Sequence, residues 1–283
     1  MYGLVYYGPR NMRWEKLDSP KPRSNEVIVK IKAVGVCGSD IDGYLGKTGR
    51  RIPPMIMGHE MSGIVTALGE NVDSSWLGRR VAIYPALSCG KCRYCLEGST
   101  NLCRERKFFG AFQTNGGMAT ELALPHELLI PLPDEISFEQ SALIEPLAVA
   151  LRAVKRTRFG KGDSVAIIGA GTIGLFVLQW VRLLGAGKIF ITDIISDRLE
   201  LARSMGAEVT LNPTSDDVEK IIKEITDGEG VDACIEAVGT TQSIRQSISI
   251  TRPGGSVTWL GMSQRVIEVD LFEVVSRELN TVG

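Results

Sequence analysis

Histidine is nearly missing from this chain, which has two in 283 residues. Each one therefore carries weight in a search for proton shuttles or metal ligands. Long apolar runs are missing as well. No stretch reaches the roughly 18 uncharged apolar residues that a membrane-crossing helix needs, so no membrane partner is expected. The opening "MYGLVYYGPRNMRWEKLDSPKPR" lacks the apolar centre of a signal peptide. Charge of one sign is also lacking, since 32 Lys and Arg face 33 Asp and Glu. Binding a nucleic-acid backbone takes a basic excess, so no nucleic-acid partner is expected. Without an export signal the expected location is the cytoplasm, where thiols stay reduced. No internal repeat or low-complexity tract is found.

What is present is an ordinary globular composition, 44% hydrophobic and 23% charged. The length suggests two domains. In the first half, "GLVYY", "EVIVKIKAVGV", "GIVTALG" and "RVAIYPA" read as short strands broken by Gly and Pro, an irregular β-barrel-like domain over about 1–150. In the second, 151–283, strands alternate with helices: "SVAII", "KIFIT", "EVTLN", "VDACIEAVG" and "GSVTWLG" are strands, and "NTVG" begins another. "SDDVEKIIKEITDG" is a helix with Ser215 as its expected N-cap, followed by helices at "TQSIRQSISIT" and "LFEVVSREL". Such alternation specifies an α/β, doubly wound parallel sheet. A further helix is expected around "EQSALIEPLAVALRAVKR", and Cys234 reads as a core thiol.

Four of the six cysteines are crowded into "CGKCRYCLEGSTNLC": Cys89, Cys92, Cys95 and Cys103. In a reduced compartment this spacing points to a metal rather than a disulfide framework. Zinc takes four thiolates in a tetrahedron, and a site with all four positions filled is structural. The expected zinc lobe spans about 86–105. A zinc ribbon for nucleic acid is the alternative that the charge balance disfavours.

"GAGTIG" carries the second signal. Gly169, Gly171 and Gly174 form GxGxxG between a strand and an amphipathic segment. The first glycine permits the turn, the second admits a pyrophosphate, and the third lets helix and strand approach. The free N–H groups of the helix start, at Thr172, Ile173 and Gly174, would face the phosphates. Asp193 ends the next strand, where a carboxylate binds adenosine ribose hydroxyls and repels a 2′-phosphate. That favours NAD over NADP, with Arg198 nearby as a counterweight. Val238, Gly239 and Gly261 end strands at the same sheet edge.

A metal centre for chemistry needs three protein ligands and an open position. Cys37 in "VGVCGSD" and His59 in "MIMGHEMSG" are candidates, with Glu60 or Glu145 of "SALIEPLAV" as the carboxylate. Each also has an ordinary reading as a core or helix-capping residue, and spacing alone does not join them.

The order "GVCGSD…GHE…CGKCRYC…C…IEP…GAGTIG", over essentially the whole chain, resembles the zinc-dependent medium-chain dehydrogenases. The likeness is closest to their polyol branch, the sorbitol (L-iditol) dehydrogenases, with threonine dehydrogenases nearby. The resemblance implies a GroES-like first domain and a Rossmann second domain. It implies catalytic zinc on Cys37 and His59, with Glu60 and Glu145 ligating zinc or its water, and so two zinc ions per chain together with NAD. It implies that Ser39 relays the alcohol proton. Relatives often carry a His three residues after Ser39; Asp42 stands there instead, so the path onward is open. The expected reaction is hydride transfer from a secondary alcohol, a polyol or sugar alcohol with or without a phosphate, to NAD. L-threonine or an aldose are the alternatives, and a non-catalytic NAD-binding protein or inactive fragment is the rival of another class. Lys47, Arg50 and Arg51 in "GKTGRR" form either a solvated loop or a landing place for a substrate anion. His126 reads as a surface or packing residue. Relatives continue beyond "ELNTVG", so a C-terminal segment is expected to be lacking here, and the full-length form is expected to be a homodimer or homotetramer.

Overall fold

Strands of the first unit form where β-branched residues recur between turn residues. The computed structural model describes residues 1–112 and 114–283. It divides into two units, Met1–Glu145 and Pro146–Gly283. In the first unit the strands are β1 Tyr2–Gly8, β2 Asn11–Lys16, β3 Glu26–Gly35, β4 Met55–Ile56, β5 Glu60–Leu68, β6 Arg80–Ile83, β7 Ala86–Leu87, β8 Lys107–Phe108, β9 Glu121–Pro125 and β10 Leu129–Pro131. The short helices are α1 Gly38–Tyr44, α2 Arg93–Leu96 and α3 Phe138–Ala142.

Antiparallel pairing orders five strands as β10-β6-β5-β3-β9 and three as β2-β1-β4, while β7 and β8 form a ribbon. Val27, Val29, Met61, Val81 and Leu124 are fully enclosed in the core of the five-stranded sheet. Each such side chain contributes about 1.5–3 kcal/mol by leaving water. Register then places the chemistry. Gly35 at the end of β3 stands opposite Glu60 at the start of β5. The chain leaving β3 therefore carries Cys37 past the segment that carries His59.

The helix expected around "EQSALIEPLAVALRAVKR" is two helices. α3 stops at its cap residue Leu143, and α4 runs Ile144–Arg156. Pro146 has no N–H to give an upstream carbonyl, so a single helix cannot run through it, whereas the first turn of a new helix accepts it. Glu145 thereby sits in the first turn of α4.

The second unit contains β11 Val165–Ile168, α5 Thr172–Leu183, β12 Ile189–Thr192, α6 Ser196–Ser204, β13 Val209–Leu211 and α7 Val218–Ile225. It continues with β14 Val231–Glu236, α8 Thr241–Ser249, β15 Thr251–Trp259, α9 Leu271–Ser276 and β16 Asn280–Val282. All six strands are parallel, in the order β13-β12-β11-β14-β15-β16. The order reverses between β11 and β14. That switch point opens a crevice at the carboxyl ends of the strands, where such sheets bind ligands. Val165, Ile167, Ile191 and Ile235 are wholly buried, as the uninterrupted apolar strand sequences require.

One cap differs from expectation. Asp217, not Ser215, caps α7, accepting the Lys220 N–H at 3.2 Å. Asn212 holds the preceding turn: its Oδ1 accepts Thr214 N–H at 3.0 Å, and its own N–H goes to Asp216 at 2.7 Å. That turn keeps Ser215 out of the helix. No helix among the described residues is long and apolar enough to cross a membrane.

Candidate active site and metal centres

The ligand atoms of Cys89, Cys92, Cys95 and Cys103 all lie within 4.8 Å of one another. The Cys92–Cys95 and Cys89–Cys95 sulfurs are 3.5 and 3.9 Å apart. Four sulfurs each about 2.3 Å from one zinc stand about 3.8 Å from one another, so the spacing matches a tetrahedral site. A disulfide would draw two of them to about 2.05 Å, and all six cysteines are free. Without a metal the thiols are at odds. The Cys95 backbone N–H brings Cys92 down to about 7, while burial and the neighbouring thiols push Cys95 up to about 11. A dication at the centre removes that conflict. Cys234 is a buried core thiol, as expected, and burial raises it well above its usual range.

The second cluster is assembled from distant segments. Cys37 is the N-cap of α1, His59 precedes β5, and Glu60 begins it. One ligand atom from each lies within 4.8 Å of the other two. Gly35 makes room, because a Cβ there would overlap Glu60 Oε2. The Phe108 ring meets the His59 ring edge-on, with centroids 5.5 Å apart. Glu145 lies outside the three-residue cluster but interacts electrostatically with His59, Glu60 and Asp40.

Asp40 is the residue that sequence reasoning passed over. It is 3% exposed. Its Oδ2 accepts the Cys37 N–H at 3.2 Å, its Oδ1 accepts Arg51 Nη2 at 2.9 Å, and His59 Nδ1 stands 3.6 Å from that same oxygen. At 3.6 Å the His59 contact is electrostatic rather than a formed hydrogen bond. The available signal was an acid three residues after a helix N-cap, the capping-box position. Carboxylates in this place orient metal-binding imidazoles.

Protonation follows from this crowding. Burial disfavours the Asp40 carboxylate, but His59 and Arg51 outweigh it and hold Asp40 below its usual range. Burial lowers His59, yet Asp40 and Cys37 raise it to about 10. Burial raises Glu60, and burial, helped by the Glu60 and Asp40 charges, lifts Glu145 to about 7 against the pull of His59. The carboxyl groups of Asp40, Glu60 and Glu145 outnumber the cationic groups Arg51 and His59. His59 Nδ1 is buried without a hydrogen-bond partner. A sulfur, nitrogen and oxygen donor set with further carboxyl groups around it fits zinc.

In the "GKTGRR" loop Lys47 and Arg50 are solvated, and only Arg51 departs from both expectations. Arg51 is only 9% exposed, and its Nη2 donates to Ser39 Oγ at 3.1 Å as well as to Asp40. A buried carboxylate requires such a partner, and this draws Arg51 inward. Lys47 pairs with Asp42 at 3.2 Å, and Arg50 is exposed. His126 is a surface residue bonded to Asn25 O at 3.1 Å.

In the second unit the glycine motif forms the β11–α5 turn. Gly169 has φ +98°, and a Cβ on Gly174 would overlap the Gly169 carbonyl. Gly171, the N-cap of α5, has nothing closer to its Cβ position than Arg198 Nη1 at 4.0 Å, which leaves room for a phosphate. The first α5 bond to Gly171 O comes from Leu175, so the Thr172, Ile173 and Gly174 N–H groups have no partner within the helix. Asp193 is buried; it accepts the Ala170 N–H at 2.8 Å and the Ile195 N–H at 2.9 Å, and stands 3.6 Å from Arg198. Val238, Gly239 and Gly261 gather at the same edge: Val238 packs over Gly169, and Gly261 lies against the Gly239 backbone. Glu236, also passed over, ties this lip down by accepting the Val238 and Gly239 N–H groups at 2.7 and 2.6 Å. It was read only as part of a strand.

A unit with a Cys/His/Glu centre and a four-thiolate lobe, joined in one chain to a dinucleotide-type sheet, defines a metal-dependent dehydrogenase. Residues 23–134 match the alcohol dehydrogenase GroES-like domain, and residues 172–283 match the zinc-binding dehydrogenase domain. Sorbitol dehydrogenase of Bacillus subtilis is 34% identical over 287 residues, covering 100% of this chain and 81% of that protein. L-idonate 5-dehydrogenase of Vitis vinifera is 37% identical over 267 residues, covering 91% and 72%. The solved structure of 2R,3R-butanediol dehydrogenase from Bacillus subtilis superposes with a TM-score of 0.89 at 32% identity, covering 100% of this chain and 83% of that one. The chain belongs to the zinc-dependent medium-chain alcohol dehydrogenase family, among the polyol dehydrogenases, and is an oxidoreductase of alcohols.

Proposed function

We propose that the protein oxidises a secondary alcohol of a polyol or sugar alcohol to the ketone, with NAD⁺ as acceptor. The observation that carries this is the convergence of Cys37 with the buried His59 and Glu60, whose ligand atoms lie within 4.8 Å of one another among further acidic side chains. These three would hold the catalytic zinc, with Glu145 as the carboxylate that approaches it from α4, and the four-cysteine lobe would hold a structural one. Zinc there supplies Lewis acidity, which lowers the pKa of the substrate hydroxyl. Asp40 orients His59. Ser39 hydrogen-bonds the substrate oxygen and relays the proton that leaves it. NAD⁺, when bound, would accept the hydride of the carbinol carbon, so the alcohol would lose one proton and one hydride. In the second unit, the free N–H groups at Thr172, Ile173 and Gly174 would hold the pyrophosphate. Asp193 would take the ribose hydroxyls and repel the 2′-phosphate of NADP; Arg198, at 3.6 Å, balances part of that charge. Val238, Gly239 and Gly261 would line the nicotinamide side. We place the enzyme in the cytoplasm as a homodimer or homotetramer.

The test is NADH absorbance with the zinc-loaded protein and a panel of sorbitol, L-idonate, a polyol phosphate, L-threonine and an aldose. Turnover with a polyol and NAD⁺ is expected. No turnover with any of them would leave a non-catalytic dinucleotide-binding protein as the reading, and turnover only with L-threonine or the aldose would replace the substrate class.

A further inference from the structure

We infer that Arg51 is a positioning residue that couples the metal-holding and proton-handling halves of the site. One guanidinium nitrogen, Nη2, spans Asp40 Oδ1 at 2.9 Å and Ser39 Oγ at 3.1 Å. The inference rests on the dehydrogenase reading above and adds a residue to it.

Burial of this side chain calls for an explanation. Arg51 lies in the sequence "GKTGRR", whose other cations, Lys47 and Arg50, face water. Arg51 is instead enclosed, and its Nε is buried with no partner. An unpaired buried donor and a desolvated charge are both unfavourable, so a solvated Arg51 would be the easier arrangement for this loop. The backbone is shaped to admit it. Gly43 lies under its stem, and a Cβ there would stand 2.5 Å from Arg51 Cγ. The strand-like bridge between Arg51 and Phe112 anchors the main chain.

Two consequences follow from the chemistry of the guanidinium. It has only donors, so Ser39 Oγ must accept from it, and the Ser39 proton is directed elsewhere, free for the substrate oxygen. Its charge also fixes the Asp40 carboxylate that faces His59 Nδ1 and takes the Cys37 N–H. Arg51 thus reaches Cys37 and His59 through Asp40, and the substrate through Ser39. A lysine also carries several donors on one nitrogen, but its shorter stem would not bring them to the place that Nη2 occupies between these two oxygens. The competing account is an ion pair that only stabilises the fold.

The test uses two variants. Arg51→Lys keeps the charge but shortens its reach. Gly43→Ala keeps the guanidinium but displaces its stem. Metal-free protein is titrated with Co²⁺, reading the thiolate charge-transfer absorption that Cys37→Ser abolishes. Both variants are expected to bind cobalt about tenfold more weakly and to shift its d–d bands, the lower end of the effects seen when groups behind metal ligands are altered. In the zinc-loaded enzyme with sorbitol and NAD⁺, kcat should fall about tenfold while KM stays within about twofold, the signature of an interaction made in the transition state. Folded variants with reduced melting temperature but unchanged cobalt affinity, cobalt bands and kcat would overturn the inference. If Arg51→Lys does not fold, Gly43→Ala decides. If the wild type oxidises nothing, the proposed function falls, while the cobalt readings still decide the role of Arg51.

Discussion

Removing both halves of the Asp40–Arg51 pair should cost clearly less than the two single removals added together. Asp40 is 3% exposed and Arg51 9%, with Nη2 to Oδ1 at 2.9 Å. Asp40→Ala leaves the guanidinium buried opposite a void, and Arg51→Met leaves the carboxylate buried opposite an alkyl chain. Breaking such a pair costs about 3–5 kcal/mol, because the surviving charge stays desolvated. For a unit the size of Met1–Glu145, each kcal/mol lowers the melting temperature by about 2–4 °C, so either variant should melt about 6–20 °C lower. The double variant Asp40→Ala/Arg51→Met buries no unpaired charge. Its loss should fall at least about 2 kcal/mol short of the sum of the singles, the range of coupling for contacting residues. Denaturant unfolding of the four zinc-loaded proteins, with folding followed by fluorescence, measures this cycle. Additive losses, or an Asp40→Ala variant within about 1 kcal/mol of wild type, would show that Arg51 is solvated and that the pair does not organise the site.

Three further outcomes are expected. Asp193→Asn should weaken NAD⁺ binding about tenfold, the value of a hydrogen bond to a charged group, and shift preference toward NADP⁺. A ratio of kcat/KM for the two cofactors unchanged from wild type would remove Asp193 from the ribose site. Gly174→Ala forces a methyl into the Gly169 carbonyl, so NADH titration by fluorescence should show a loss of at least about tenfold and the melting temperature should fall by the few degrees that overpacking costs, about 1–3 kcal/mol; unchanged binding would refute the tight turn. The third concerns acid. Asp232 is partly buried, which raises its pKa, but Arg252 at 2.6 Å and Ser164 at 2.7 Å outweigh burial and hold it below its ordinary value. A folded pKa below the unfolded one, about 3.9, stabilises the fold above that pH and is lost as pH falls through the folded value. Melting temperature measured against pH should therefore drop less steeply below about pH 4 in Asp232→Asn than in wild type; parallel curves would contradict it.

The parts legible in the sequence are those whose chemistry depends on local spacing. The four cysteines stand within fifteen residues, so a single loop suffices to bring them together. The glycine motif works because strand, turn and helix are consecutive. The strand–helix alternation likewise announced the parallel sheet. Cys37 and His59 are different: they meet only because β3 and β5 pair with Gly35 opposite Glu60, and residue types combined with a family likeness, not spacing, pointed to them. Asp40 is marked only by its capping-box position, and the role of Arg51 is not legible at all. Arg51 sits among Gly and charged residues that read as a solvated loop, and only a buried carboxylate eleven residues earlier reverses that. Ser215 lost its cap to Asp217 because Asn212 builds a turn first, and the break between α3 and α4 turns on Pro146, which could open a helix as readily as interrupt one.

Metal stoichiometry tests the central claim most directly. Atomic emission should find two zinc ions per chain in the wild type and one in the Cys37→Ser/His59→Ala variant, whose four-cysteine lobe is intact. One zinc in the wild type, or two in the variant, would mean that Cys37, His59 and Glu60 do not hold an ion.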